Sequence, residues 1–328
     1  MGDSAFVGSP PANPHDKAVI EGFWRNILRH AGPGGPPHPP VIPARKPPGP
    51  VPHDNQQREL IAIDTFLIVA IVALTGTRCA LRFFRRELRW GLDDWTIMVG
   101  AVFGLAWLSL DFASLDDGIA MHMYDVTYSQ IDNFTSNILT GVVFFYLSIA
   151  FIKISICLFN RRLTGLTSRN WNIYHNTLLV LLVAFLITVI FTFLFACYPV
   201  WTLFRWSDLG SRNYKSKCLD FDHLSMGLSI MHPIYDLFLL PVPLIIMQRI
   251  RMSLSQRIRL WFLFSIGLLS FVGAINRVVL LFKREFHDRS CKLSLTLIVV
   301  ERHFHFPLFV GESGHSKTRN QFLTCFCR

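Results

Sequence analysis

The sequence predicts an all-helical protein that crosses a membrane several times. Six long apolar stretches predict it, together with a low charged fraction and arginine that collects in alternate loops. The stretches are Leu60–Leu81, Trp95–Leu115, Ile138–Phe159, Thr177–Phe204, Leu224–Met247 and Leu260–Phe282. Each exceeds the ~20 residues a helix needs to cross a hydrocarbon core of about 30 Å. Lipid offers the backbone no hydrogen-bond partner, so a spanning stretch must pair its own N–H and C=O groups as a helix. Charged residues make up 16% of the chain, against about a quarter in soluble domains.

The chain divides into three segments. Residues 1–59 read as a disordered, proline-rich N-terminal segment, with ten prolines between Pro33 and Pro52. Such composition favours extended, solvated chain over helix. Within it Ala18–His30 is a weakly amphipathic patch. It reads as a nascent helix in a disordered tail, or as a contact for a membrane surface or partner. Residues 60–282 form the transmembrane helical domain. Residues 283–328 are an aberrant tail holding part of a seventh helix: Leu293–Val300 is apolar, then Glu301, Arg302, His303 and His305 interrupt it.

The start has neither the basic nor the apolar region of a signal peptide. Phe6 stands where myristoylation wants Ser or Thr, and the terminal CFCR fails as a prenylation box. The seven cysteines show no metal spacing.

Arginine sets the expected topology. Leu81–Asp94, Asn160–Asn176 and Gln248–Arg259 together hold eleven Arg and no Lys, whereas the two intervening loops hold four Lys and Arg. Positive charge collects on the cytoplasmic side, so these three loops are expected inside and the N-terminus outside, in the plasma membrane. Asn133-Phe134-Thr135 is then a glycosylation sequon on the outside, with Asn133 as the acceptor. The net charge of +10 sits beside helices, not in a basic stripe of a soluble domain. It therefore points to lipid headgroups rather than nucleic acid.

Ionisable residues within spans are costly and default to functional candidates. Asp93 and Asp94 suit the N-terminus of the second span, where free N–H groups are positive. Lys153 lies about five residues from the inner end of the third, near enough to snorkel to the interface or to pair with Asp94. Asp236 sits near the middle of the fifth span. His232 is on the same face four residues earlier, and Arg277 in the sixth span is a further candidate partner. Pro233, Pro241 and Pro243 bend the fifth helix. The group reads either as a structural polar cluster or as a ligand site.

Catalytic motifs are missing. Tyr235-Asp236 has the dipeptide of an intramembrane aspartyl protease, but the next helix lacks the second carboxylate. Neither H-E-x-x-H nor G-x-S-x-G occurs. No enzyme and no cofactor is expected. Asp288-x-x-x-Lys292 has the spacing of a retinal Schiff-base helix in surroundings too polar for one.

The motifs as a set resemble the fungal rhodopsin-domain family of seven-helix membrane proteins. The residues that carry the likeness are Arg78 and Arg82, Gly91-Leu-Asp-Asp-Trp95, Gly118 and His122, Lys153-Ile-Ser155 with Arg161, Cys197-x-Pro199-x-Trp201, Cys218, Asp236 with Pro241 and Pro243, and Gly267 with Arg277. The likeness runs from about Leu60 to Phe282. It implies a receptor-like membrane protein without an established retinal. A transporter or channel component, or an accessory membrane protein of a biosynthetic pathway, is the alternative. A cytoplasmic signalling partner at the Arg-rich loops and the lipid bilayer are the implied partners. The sequence departs from the family at Ala120, where a glycine is usual, and after Glu301, where the seventh helix does not continue. Cys197 and Cys218 flank the second external loop and are expected to form a disulfide or to remain two thiols.

Overall fold

The computed structural model describes residues 5–6, 10–31, 57–84, 90–119, 121, 125–164, 169–211, 217–218, 221–242 and 254–287. It is all-α, with helices α1 (Pro14–Ala31), α2 (Gln57–Phe84), α3 (Leu92–Asp116), α4 (Tyr128–Thr164), α5 (Arg169–Phe195), α6 (Trp206–Ser211), α7 (Phe221–Leu239) and α8 (Leu254–His287). A two-residue ladder, β1 (Cys197–Tyr198) with β2 (Lys217–Cys218), is antiparallel. The Pro33–Pro52 run, Ala120, His122, Pro243, Asp288, Lys292, Glu301 and the tail beyond His287 lie outside the described residues.

Among the described residues, α2, α3, α4 and α5 are long and apolar enough to cross a membrane. The chain is therefore a multi-pass membrane protein associated with the lipid bilayer. The expected fifth and sixth spans appear as shorter apolar stretches, Leu224–Leu239 and Gly267–Val279. The chain separates into two compact units, one carrying α1 to α6 and the other beginning at Ser225 with most of α7 and all of α8.

The outward faces of α2 and α5 are apolar. Phe66, Val69 and Leu74 on α2, and Val180, Phe191 and Phe195 on α5, are all exposed. These faces meet lipid. The hydroxyls of Thr65 and Thr77 donate to carbonyls three or four residues back, which satisfies them inside the helix itself.

The tightest long packing is between α3 and α4. Gly100 and Gly104 are buried on α3. A Cβ on Gly100 would meet Ile152 at 3.1 Å, and one on Gly104 would meet the Ser148 Oγ at 3.1 Å. Ser148 Oγ donates to the Gly100 carbonyl over 2.8 Å. Without a hydrophobic drive between helices in lipid, small residues that let backbones approach are what hold such a pair.

The N-terminal expectation needs correcting. Pro14–Ala31 is an 18-residue helix packed on the unit, not disordered chain. Its buried face is Asp16, Ala18, Val19, Ile20 and Gly22. Ala18 to Ile20 are the start of the amphipathic patch, and their burial against folded chain is what orders it. Two further boundaries shift. α4 begins at Tyr128, ten residues before the apolar run, so the sequon lies in its first turns. α5 stops at Phe195, because Pro199 cannot continue a helix, and the chain goes on as β1 and the 3-10 turn Val200–Leu203.

Candidate functional site

Antiparallel packing of α2 to α5 gives the first unit two ends of different chemistry. The end of α2, the start of α3, the end of α4 and the start of α5 share one end. The α3–α4 connection, α1 and α6 share the other.

At the first end α3 starts with Gly91. Its N–H donates to Asp94 Oδ2 over 3.0 Å, and its carbonyl accepts from the Asp94 N–H. A Cβ on Gly91 would overlap the Asp93 carboxylate, so the glycine lets two adjacent carboxylates turn inward. Both are buried, Asp93 at 3% and Asp94 at 2% exposure. Two arginines one turn apart on α2 meet them. Arg78 donates from Nη2 to Asp93 Oδ2 at 2.7 Å and from Nε to Asp94 Oδ1 at 2.9 Å. Arg82 donates from Nε to Asp94 Oδ1 at 3.2 Å, and its Nη2 is 3.6 Å from Asp93 Oδ2. Arg162 of α4 reaches Asp93 Oδ1 at 3.8 Å, Ser155 Oγ donates to the Asp93 carbonyl at 2.6 Å, and the Arg78 guanidinium lies over the Phe159 ring. The cluster ties three helices together by charge-assisted bonds.

Lys153 is not an interfacial side chain. At 3% exposure it is enclosed by protein, so the snorkelling expectation fails. It belongs to a buried stripe of α4 with Tyr146, Ala150, Cys157 and Asn160, spaced three and four residues apart as one helical face. The described bonds of Asp94 run to Arg78, Arg82 and Gly91, because α2 lies beside the start of α3 and presents its arginines there.

The second end carries a folded cap. Phe6 N–H donates to the Val126 carbonyl at 2.8 Å, and Ala5 pairs with Thr127 in a single bridge. The Phe6 ring packs on Phe23 and Tyr128, and Phe23 packs on Trp206 of α6 at 5.0 Å. Asp132 of α4 accepts from Ser207 N at 3.0 Å and Ser207 Oγ at 2.6 Å. His15 stands 3.8 Å from Asp132 and 4.0 Å from Asp16. Gln57 Nε2 donates to the Leu115 carbonyl and closes α2 onto α3. Gly118 has φ +84, a left-handed conformation that turns the chain after α3 and favours glycine. Asn133, the sequon asparagine, is exposed. Its side chain and that of Asn137 hydrogen-bond Asp117. Burial pushes the Asp117 carboxyl up, and those two amides oppose the shift. Cys197 is in a disulfide, and Cys218 is the residue directly opposite it in the ladder.

In the second unit His232 Nδ1 lies 3.2 Å from Asp236 Oδ2, with both side chains nearly buried. One helical turn separates them, and Pro233 sits inside that turn of α7. Arg277 is on α8 and half-buried.

Three polar positions escaped the sequence reading. Asp64 on α2 is fully buried and interacts electrostatically with Asp111 on α3. His175 on α5 is fully buried and stacks on Trp171, its carbonyl accepting from Cys157 Sγ at 3.6 Å. Neither ring nitrogen of His175 has a hydrogen-bond partner among the described residues. Each is a single ionisable residue near the end of an apolar run, where sequence alone reads it as facing headgroups.

Compared with known families, residues 77–304 match the fungal rhodopsin domain. The match begins one residue before Arg78 and ends three residues past Glu301. No curated protein and no solved structure matches the chain.

Proposed function

The chain belongs to the fungal rhodopsin-domain family, and from that membership we propose that it works as a receptor in the plasma membrane, with α1 and α6 outside and the arginine cluster in the cytoplasm. Six spans complete the path, with α7 in the fifth and α8 in the sixth. The proposed role is non-enzymatic. The outer cap meets the ligand, and the Arg-rich connections meet a signalling partner.

The observation that supports this reading most is the contrast between the two ends. One is closed by a folded cap whose polar contacts centre on Asp16, Asp117 and Asp132. The other is built on Arg78, Arg82 and Arg162. Arginine-rich connections remain on the cytoplasmic side, and a receptor needs distinct surfaces across the membrane.

The buried His232–Asp236 contact supports a second reading, a transporter that passes a proton or cation through α7. Two measurements test this, the first the orientation and the second the choice between receptor and transporter. A membrane-impermeant thiol reagent should label cysteines engineered within Arg161–Arg169 only after the membrane is opened; labelling of intact cells would reverse the orientation. Proteoliposomes loaded with a pH-sensitive dye should show no proton flux attributable to the protein. Flux that disappears in Asp236→Asn would replace the receptor with the transporter.

A further inference from the structure

We propose that Tyr198 and Trp201, past the end of α5, hold phospholipid at headgroup depth and so seat the α1–α6 cap on the leaflet at that end of the bundle. The contact is the same for either orientation of the chain, so it stands apart from the receptor reading.

Depth is the first observation. No Asp, Glu, Lys or Arg stands between Arg169 and Arg205. Polar residues cluster at the start of α5, as Asn170, Asn172, His175 and Asn176, and Thr177–Phe195 then runs without another amide or ring nitrogen. At 1.5 Å per residue that stretch is about 28 Å long, close to the hydrocarbon core of about 30 Å. The helix therefore ends where the core ends. The headgroup layer beyond it is about 5–8 Å thick on each side, and Tyr198 and Trp201 come next in the chain.

Exposure is the second, independent observation. α5 buries Leu182, Val189 and Phe193 and leaves Phe191, Leu194 and Phe195 on its lipid face. Past the helix the apolar series does not stop: Tyr198 is 81% exposed and Trp201 53%. Each carries a ring that suits the start of an acyl chain and one donor, a hydroxyl or an indole N–H, that suits ester and phosphate oxygens. Arg205, exposed just before α6, adds a cation for the phosphates. A soluble partner protein would have to share this strip with the lipid on Phe191 and Phe195, so lipid is the favoured occupant.

The contact reaches the cap through a short, tied joint. Thr202 is buried, and its Oγ1 donates to the Pro199 carbonyl at 2.7 Å. Phe204 N–H donates to the Trp201 carbonyl at 3.1 Å, so the 3-10 turn presents Trp201 outward while its other side is fixed. α6 begins at Trp206, a few residues on, and that ring packs on Phe23 of α1 at 5.0 Å. Leaflet, turn, α6 and α1 are thus one connected series. The depth of Trp201 in the leaflet sets the height of the cap above it.

Fluorescence quenching on the full-length protein in phosphatidylcholine nanodiscs tests this. The part of the emission that Trp201→Phe removes is that of Trp201. It should be quenched about twofold or more by lipid brominated near the ester carbonyls, and only weakly by lipid brominated at the chain ends or by iodide in the water. With p-benzoylphenylalanine in place of Tyr198, irradiation should give the protein plus one phospholipid by mass spectrometry. In the same discs Trp201→Ser should raise amide exchange of residues 206–211 several-fold, with α3 and α4 unchanged. Quenching of Trp201 by iodide alone would place it in water and overturn the proposal. Quenching by neither agent, or a crosslink to protein in place of lipid, would overturn it as well. Unchanged exchange in Trp201→Ser would overturn the seating of the cap.

Discussion

Gly22 and Gly210 meet backbone to backbone where α1 crosses α6. A Cβ on Gly210 would stand 2.8 Å from the Gly22 nitrogen and overlap the Ala18 carbonyl; one on Gly22 would overlap the Trp206 carbonyl. Arg25 Nη1 then reaches the Leu209 carbonyl at 2.8 Å. The cap therefore depends on two residues that have no side chain.

Gly22→Leu should expel α1 from this seat, because the obstacle is backbone and cannot rotate away. Amide hydrogen exchange of residues 14–25 should rise by about tenfold or more, as expected for a segment that loses its buried contacts, while α3 and α4 stay protected. Unchanged protection of α1 would mean the crossing is not what holds it.

Gly76 offers the opposite case. A Cβ there meets nothing within 4 Å, and the residue lies inside α2. Gly76→Ala should stabilise the protein by up to about 1 kcal/mol through helix propensity. Thermal unfolding in detergent measures it, and a loss of stability would reveal a neighbour on that face.

The Asp94 cluster predicts a large effect in the same assay. Asp94→Asn leaves Arg78 and Arg82 facing one buried carboxylate, and removing one partner of a buried pair costs about 3–5 kcal/mol. Arg78→Met combined with Asp94→Leu should cost less than the sum of the two single changes. Strict additivity would show that the two side chains do not support each other.

For the Cys197 disulfide, a bond to Cys218 closes a loop of about 20 residues and should contribute about 3 kcal/mol in the chain-entropy model. Non-reducing mass spectrometry should find the two cysteines in one linked peptide pair. Alkylation of both in the unreduced protein would remove the bond from the account.

Asp236 distinguishes holding from binding. If the His232–Asp236 contact only fastens α7, Asp236→Asn should be tolerated and Asp236→Leu should lower stability and surface expression. If it serves a cation or proton, Asn should abolish function with expression intact. The buried carboxylate and its 3.2 Å contact already exclude a side chain directed at lipid without a polar neighbour.

Four of the spans, the place of Asp94 at a helix start and the His232–Asp236 contact were legible in the chain because each is local. Span length, a helix start and a four-residue spacing are all read within one segment. The Asp94 partners were harder. Lys153 and Arg78 both qualify by depth, and only the packing of α2 beside α3 chooses. The α1 cap was illegible for a sharper reason. Gly22 lowers helix propensity where it stands, and its justification, Gly210, is on a helix nearly two hundred residues away. Asp64, Asp111 and His175 carry no sequence signal of burial, since which face of a lipid-embedded helix looks inward is decided by its neighbours.

The glycine seam between α3 and α4 has a mechanical consequence. Gly100, Gly104 and Ser148 leave no side-chain slack in which the two helices could slide or roll past each other. The pair moves as one stiff beam. α4, with 37 residues, is about 55 Å long. Asp132 near one tip is fastened to the cap, and Arg162 near the other leans on the arginine cluster. A tilt of a few degrees imposed at the capped tip therefore arrives at the far tip as a displacement of several ångströms, without any rearrangement along the shaft.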